Sequence, residues 1–190
     1  MKYLEITTPN TTQIVSTSDL KEHLRITFNN DDSYIAALES AAVKTVENYC
    51  NIFLLETQLT QYGFSFSDVQ ILFKSPITGG SATRTLYVYS NGGWVSQTGI
   101  EFITDSKPPR LYKNNTTLST PDTDITQKYK VVYKVGYDSI SDIPQPLIQA
   151  IKIIVADMYE NRQSVIIGKA ASEVPKTAEY LMQQYKIQTL

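Results

Sequence analysis

The sequence is short of the side chains on which most enzyme active sites depend. Among its 190 residues there is one cysteine, Cys50, and one histidine, His23. A single cysteine excludes an internal disulfide framework, and no HxxxH or paired Cys/His spacing indicates a zinc site. Nucleophile and base pairs for covalent catalysis are equally scarce. We therefore expect Cys50 to be a small core residue and His23 to be structural or exposed to solvent.

Other chemical motifs are incomplete. Gly168-Lys169 is the only Gly-Lys pair, and it lacks the first glycine and the hydroxyl residue of a P-loop. Neighbouring carboxylates such as Asp31 and Asp32 fall at a predicted helix start, where capping explains them better than glycosidase chemistry. The sequence therefore predicts no catalytic residue, no metal site and no cofactor. A soluble enzyme or ligand-binding domain is a remote alternative.

Long apolar runs are also missing. The first residues lack the apolar segment of a secretory signal, and no segment approaches the roughly 20 apolar residues of a membrane-spanning helix. We therefore expect a chain that is made in the cytoplasm and does not bind a membrane. The sequence shows no internal repeat and no heptad series.

The charge is small in total but uneven along the chain. A net charge of -2 argues against broad attraction to a nucleic-acid backbone. Residues 1–68 carry four basic and nine acidic side chains, whereas residues 69–136 carry eight and four. This basic middle section could face a phosphate backbone or an acidic partner, or it could be a sheet edge kept soluble by lysine. Its candidate residues are Lys107, Arg110, Lys113, Lys128, Lys130 and Lys134.

The hydrophobic pattern changes twice and predicts an α+β protein. Helical spacing predicts an N-terminal helix pair over residues 16–54, with Asn51 as a left-handed stop for the second helix. Alternation with a period of two predicts a central antiparallel β section over 55–137, in which Asn91-Gly92-Gly93 is a hairpin signal. A long apolar helix and a short helix opened by Pro175 follow within 142–190. Strands are predicted over 59–66, 69–73, 85–89, 101–104 and 129–135.

The long C-terminal helix is more apolar than one small core requires. At about 100° per residue, Ile153 and Ala156 fall on the same face as the polar residues of this helix. The apolar run is too short to cross a bilayer. The helix is therefore either deeply buried or shared with a partner. Between residues 147 and 159 the polar residues are Gln149, Lys152 and Asp157.

Glu39 lies on the apolar stripe of the second predicted helix. An unpaired carboxylate in that position would be costly. We therefore expect an ion-pair partner, which Arg25 or Arg162 of the same chain, or a neighbouring subunit, could supply.

Four segments carry a family resemblance when they are taken in order. They are Leu20 to Ile26, Asp31-Asp32 with the helix that ends in Glu47-Asn48-Tyr49, Val131 to Tyr137, and Ile143-Pro144 through Tyr159-Glu160-Asn161-Arg162. The chain resembles the head-to-tail connector (adaptor, or head-completion) family of tailed bacteriophages over residues 16–60 and 129–185. It departs from the family at Glu39, where an aliphatic residue is usual, and in a long hairpin insert over about residues 78–126.

The resemblance implies a structural virion protein that forms a ring of about twelve copies at the capsid portal vertex. The protein would be made in the bacterial host cytoplasm and would join the portal protein to the downstream neck or tail protein, with DNA passing through the lumen. One connector domain, 1–190, is the expected organisation. The predicted subunit contacts are Glu39, Ile153, Ala156 and Tyr159. The predicted portal contacts, in the C-terminal segment, are Val165, Ile166, Ile167 and Lys169.

Lys107, Arg110 and Lys113 are the predicted basic residues that face the lumen or a partner. Any contact of these residues with DNA would be weak and nonspecific, because a channel must let DNA slide. Another neck component, such as a stopper or tail-completion protein, is the alternative within virion proteins.

Overall fold

The computed structural model describes residues 3–8, 10–77, 84–162 and 174–187. These residues form a mixed α+β fold with antiparallel sheets, which confirms the predicted class. The α-helices are α1 (Thr17–Leu24), α2 (Asp32–Cys50), α3 (Phe66–Val69), α4 (Gln145–Glu160) and α5 (Lys176–Gln183), and Ile140–Asp142 forms a short 3-10 helix. The strands are β1 (Tyr3–Thr8), β2 (Thr57–Gly63), β3 (Thr85–Ser90), β4 (Gly93–Ser96), β5 (Ile100–Ile103), β6 (Arg110–Lys113) and β7 (Tyr129–Val135).

The chain divides into two compact units, and each is built from separate stretches of sequence. The helical unit consists of Thr11–Cys50 and Ile140–Lys186. The β unit consists of Met1–Asn10, Asn51–Ser139 and Ile187–Leu190. The organisation as one connector domain, 1–190, stays a prediction.

Local signals set the ends of the helices in the helical unit. The Ser16 hydroxyl oxygen accepts a hydrogen bond of 3.1 Å from the backbone N–H of Asp19 and caps α1. Arg25 ends α1 in the left-handed region with φ of 57°. Asn51 does the same after α2 with φ of 58°, which confirms its prediction as a left-handed stop. Pro175 occupies the N-cap position of α5.

The apolar stripes of these helices pack against one another. Helix α2 packs on α4, α4 packs on α5, and α1 contacts both α2 and α4. Fully burying one leucine or isoleucine side chain contributes about 1.5–3 kcal/mol, so this packing stabilises the unit far more than helix propensity does. The large apolar side chains buried in these helices include Leu20, Ile35, Val46, Leu147, Ile151, Ile154 and Met182.

Cys50 belongs to this buried set. Its Sγ lies 3.6 Å from the backbone oxygen of Met182, and burial raises the pKa of the thiol to about 11. The thiol is therefore protonated and unreactive at neutral pH. The prediction that Cys50 is a small core residue is confirmed.

The β unit is built on a five-stranded sheet with the order β1-β2-β7-β3-β4 and on a two-stranded sheet of β5 and β6. Strand β7 is central and pairs antiparallel with both β2 and β3. Successive side chains of a strand point to opposite faces of the sheet, and in the larger sheet the buried apolar ones lie on the same face. The buried core of the β unit consists of Phe53, Leu59, Val69, Leu72, Leu86, Leu111, Val131, Tyr133 and Val135.

Two strand predictions are corrected by the structure. Strand β2 ends at Gly63 rather than at residue 66, because Asp68 accepts hydrogen bonds of 3.1 and 3.0 Å from the N–H groups of Phe64 and Ser65 and starts α3. The strand predicted over 69–73 is wrong, since Val69 ends α3 and Ile71 forms an isolated bridge instead of a strand. Strands β1 and β6 were not predicted.

The hairpin prediction is confirmed. Ser90 pairs with Gly93, and the two turn residues Asn91 and Gly92 have φ of 53° and 76°. Positive φ at both positions is the geometry that favours the Asn-Gly pair. The Asp122 carboxylate accepts hydrogen bonds from both turn N–H groups, at 3.0 and 2.9 Å. Strand β3 of this hairpin pairs with β7, so part of the predicted insert belongs to the main sheet.

Candidate assembly surfaces

Helix α4 leaves part of its apolar side at the protein surface. Ile153 and Ala156 are partly buried, as are the neighbouring polar residues Lys152 and Asp157. Ile153 therefore lies outside the fully buried core of the protomer. The residues of α4 that are buried are Leu147, Ala150, Ile151, Ile154 and Val155.

The C-terminal end of α4 is tied to the start of α2 by four side chains, which we call the α2–α4 clamp. One carboxylate oxygen of Asp31 accepts hydrogen bonds of 2.6 Å from the Tyr159 hydroxyl and 2.7 Å from Arg162 Nη2. The Arg162 guanidinium lies 4.8 Å from the ring centroids of both Tyr34 and Tyr159. The hydrogen bond from Tyr159, followed by that from Arg162, holds the pKa of Asp31 below its usual range.

The clamp bears on two predictions. Tyr159 was predicted to contact another subunit, and its hydroxyl is bound within its own chain while its ring is partly buried. Arg162 was a candidate partner for Glu39, and it pairs with Asp31 instead. The clamp joins residues more than a hundred positions apart, so no local pattern in the sequence reveals it.

Glu39 is buried and has a partner that the sequence did not predict. One carboxylate oxygen accepts hydrogen bonds of 2.9 and 3.1 Å from the backbone N–H groups of Ile14 and Val15. The ion pair predicted with Arg25 or Arg162 is therefore wrong, because two peptide N–H groups of the same chain bind the carboxylate instead. With 3% of its surface exposed, Glu39 has little area left for another subunit.

The three predicted basic contacts do not form one surface. Lys107 is exposed in the loop before β6, and Lys113 Nζ lies 5.4 Å from the centroid of the Phe66 ring. Arg110 and Lys113 are three residues apart on β6, so their side chains leave on opposite faces. Their contact with a lumen or a partner stays a prediction.

Aromatic rings cover the face of the larger sheet opposite its core. Tyr3 of β1 is paired with Tyr62 of β2, and their ring centroids are 5.9 Å apart. The Trp94 ring lies 6.1 Å from that of Tyr62 and 5.2 Å from that of Tyr89. We call this surface the aromatic platform, and it consists of Tyr3, Tyr62, Phe64, Tyr87, Tyr89 and Trp94 with Lys128 and Lys130.

The two lysines of the aromatic platform lie against its rings. Lys130 Nζ is 4.7 Å from the ring centroid of Tyr87 and 4.6 Å from that of Trp94. Lys128 Nζ is 4.6 Å from the ring centroid of Phe64. Partial burial lowers the pKa of Lys130. Sequence reasoning singled out the lysines but missed the platform, because its rings come from strands that are distant along the chain.

Sites for chemistry are scarce in the described residues. Within the described ranges, no group of three or more His, Cys, Asp or Glu side chains could hold a metal ion. His23 is exposed, as the sequence predicts. None of the helices in those ranges is long and apolar enough to span a membrane. The predicted portal contacts Val165, Ile166, Ile167 and Lys169 lie outside the described residues.

Comparison with known proteins finds a family model that matches part of the sequence and solved structures that share the fold. Residues 15–74 match the model of a family described as phage gp6-like head-tail connector proteins. The resemblance to connector proteins is confirmed for this part of the chain. No curated protein matches the sequence.

Solved structures of phage-like particles share the fold over nearly the whole chain. A chain from the neck of an empty GTA particle, computed with C6 symmetry, has a TM-score of 0.78 and 18% identity over 99% of this chain and 97% of its own. A chain from the virion of a native gene transfer agent (GTA) particle has a TM-score of 0.75 and 18% identity over 98% and 96%. A chain from a native GTA neck with C12 symmetry has a TM-score of 0.73 and 16% identity over 99% and 97%.

Proposed function

We propose that this protein is a structural neck protein of a phage or phage-like particle, located at the portal vertex of the capsid. It forms a ring that joins the portal protein to the downstream neck or tail protein, and DNA passes through the lumen. The observation that carries the proposal is the fold match to a neck chain, with a TM-score of 0.78 over 99% of this chain. The family matched by residues 15–74 is described as a head-tail connector and not as an enzyme.

A closed ring of about twelve identical copies is the proposed assembly. The necks that contain the similar chains were computed with C6 and C12 symmetry, and twelve copies are compatible with both. Residues 163–190 carry the proposed portal contacts, which include Val165 and Lys169. Lys107 and Arg110 are proposed to face the lumen or a partner, and any contact with DNA is weak.

Helix α4 is the proposed lateral contact between copies. We take the N-terminal helix pair and the long apolar helix as the core of the protomer, with the partly buried side of α4 turned to a neighbour. Ile153 and Ala156 carry this contact, because a ring gives each protomer further surface on which to bury apolar side chains. The Tyr159 ring adds to it while the hydroxyl stays bound to Asp31. Glu39 lends little support to the contact, because its carboxylate is enclosed within the chain.

Aspartate substitutions at two adjacent positions of α4 test this contact. Ile153 is partly buried, so Ile153→Asp leaves the folded protomer intact and places a charge in the proposed interface. Ile154 is 2% exposed, so Ile154→Asp disrupts folding itself. Circular dichroism reports the fold, and negative-stain imaging of each variant mixed with portal rings reports assembly.

We expect the wild-type protein to form a ring on the portal and Ile153→Asp to remain folded without forming one. Normal rings from Ile153→Asp would overturn the assignment of α4 to the interface. A wild-type protein that binds purified tails but not portals would instead indicate a tail-completion protein.

A further inference from the structure

The aromatic platform presents cations beside its rings, of which Tyr3 and Phe64 are 52% and 51% exposed. Lys130 lies against the rings of Tyr87 and Trp94, and Lys128 lies against the ring of Phe64. An ammonium group over a ring face is attracted by the ring quadrupole, and it occupies the face on which a base or a sugar would stack. At the rings of Phe64, Tyr87 and Trp94, this arrangement therefore favours an anionic partner over a stacking ligand.

Neither cation forms an ion pair in the part of the chain that the structure describes, although the Glu5 carboxylate, which accepts a hydrogen bond of 3.3 Å from the Tyr62 hydroxyl, is near enough to Lys130 to act against the lowering of its pKa. No carboxylate oxygen in those residues lies within 4.0 Å of Lys128 Nζ or Lys130 Nζ. Tyrosine and tryptophan around them are the residues enriched at the centres of protein interfaces, where they exclude water from polar pairs. A protein that brings carboxylates is therefore a better fit than duplex DNA, whose binding needs a more extended basic surface.

The same chain carries a matching pair of carboxylates. Residues 1–68 contain nine acidic and four basic side chains, the reverse of the bias in residues 69–136. Asp19 and Glu22 are both exposed on α1 and lie three positions apart. Residues at this spacing share a helix face with their Cβ atoms about 5–6 Å apart. Lys128 and Lys130 are two positions apart in extended backbone, about 7 Å.

We propose that the aromatic platform is a contact surface for a second copy of this chain, whose Asp19 and Glu22 meet Lys128 and Lys130. The inference rests on the proposed ring. It adds a contact in which one copy uses its β unit and the next uses its helical unit. Because the contact joins two different surfaces, each copy binds one neighbour through its β unit and the other neighbour through its helical unit. A closed ring requires contacts of this kind.

Cross-linking between isotopically labelled and unlabelled copies tests the proposal. Equal amounts of the two proteins are assembled with portal rings and treated with a carbodiimide, which joins lysine to carboxylate without a spacer. Mass spectrometry then looks for mixed-isotope peptides that join Lys128 or Lys130 to Asp19 or Glu22. We expect these cross-links in assembled rings and not in unassembled protein.

Charge reversal supplies the second test. The Lys128→Glu/Lys130→Glu variant is expected to reduce ring formation roughly tenfold, because like charges then oppose each other. Combining it with Asp19→Lys/Glu22→Lys in the same chain is expected to restore assembly, which a general loss of stability would not allow. Asp124→Lys also reverses a charge, at an exposed loop position outside the platform and outside α1, and is expected to leave ring formation unchanged.

The outcomes separate this inference from the proposed function. Rings that form normally without mixed cross-links from Lys128 or Lys130, or double reversal without rescue, would overturn the second-copy contact and leave the ring intact. Cross-links from these lysines to a different neck protein, or loss of duplex DNA binding in the variant with rings unaffected, would overturn it too. A protein that forms no ring on any portal would overturn the proposed function itself.

Discussion

The helical unit and the β unit bury polar side chains of different kinds. Among the described residues of the helical unit, the buried polar side chains are the carboxylates Glu39 and Glu47, and Glu39 accepts from the N–H groups of Ile14 and Val15. Those of the β unit are neutral, and in Gln61 the Nε2 donates to the backbone oxygens of Asp68 and Ile71 while the Oε1 accepts from Tyr133. A buried carboxylate must be offset by hydrogen-bond donors, because burying an unpaired charge costs more than burying a neutral polar group. The comparison shows that the helical unit buries carboxylates, whereas the β unit buries neutral side chains and keeps its carboxylates nearer the surface.

The largest expected effect concerns the backbone of the β unit. Gly136 has φ of 105°, and a Cβ atom there would lie 2.3 Å from the backbone oxygen of Leu55. We expect Gly136→Ala to lower the free energy of unfolding by about 4 kcal/mol, because neither the strained φ nor a backbone clash can be relieved by a side-chain movement. Urea unfolding followed by the fluorescence of Trp94, the only tryptophan, measures this change.

Gly93→Ala is the matched control, since a Cβ atom at Gly93 meets nothing within 4 Å. It is expected to change the free energy of unfolding by less than about 1 kcal/mol. Equal losses from the two variants would contradict the prediction, because Gly93 has neither a positive φ nor a close contact for a Cβ atom to meet.

The second effect concerns the charged anchor of the helical unit. Glu39→Leu leaves the buried N–H groups of Ile14 and Val15 without an acceptor, and each such group costs about 1–3 kcal/mol. We expect a total loss of about 3 kcal/mol, measured by urea unfolding followed by circular dichroism. Glu39→Gln keeps an acceptor oxygen and is expected to cost about 1 kcal/mol. A stabilised Glu39→Leu protein would show that the hydrogen bonds do not offset the burial of charge.

The smallest effect is the response of the α2–α4 clamp to acid. The pKa of Asp31 is lowered in the folded state by Tyr159 and then by Arg162. The stabilisation from Asp31 is therefore fully present above its unfolded pKa of about 3.9 and is lost as the pH falls through the lower folded value. We expect the midpoint temperature of the helical signal to fall below about pH 4 in the wild type and to fall less in Asp31→Asn.

Thermal scans by circular dichroism and by Trp94 fluorescence, at neutral and acidic pH, check this prediction. Asp19→Asn, at an exposed position elsewhere on the helical unit, serves as the control. If the Asp31→Asn variant keeps the full acid dependence of the wild type, the α2–α4 clamp does not contribute to the acid response of the helical unit.

Local patterns allowed parts of both units to be predicted. The strand predicted over 129–135 coincides with β7, because every second residue there is apolar and lies on the buried face of the sheet. The end of α2 at Asn51 and the turn at Asn91-Gly92 were predicted because few residues other than glycine and asparagine adopt positive φ readily. The capping interaction of Ser65 with Asp68 was overlooked, and this explains the wrong strand over 69–73.

The candidate assembly surfaces were predictable only in part. The apolar excess of α4 was visible in the sequence, and Ile153 and Ala156 are partly buried. The aromatic platform was not visible, because Tyr62 and Trp94 come together only when β2 and β3 pair with β7.

Taken alone, the sequence determines where helices stop, where the hairpin turns and how apolar α4 is, because these properties depend on neighbouring residues. The tertiary structure decides which groups satisfy the charged side chains. Glu39 binds two peptide N–H groups. Arg162, which was a predicted partner of Glu39, forms an ion pair with Asp31 instead. The physical reason is that a carboxylate accepts any donor within hydrogen-bond distance, and only the packing of distant segments determines which donor that is.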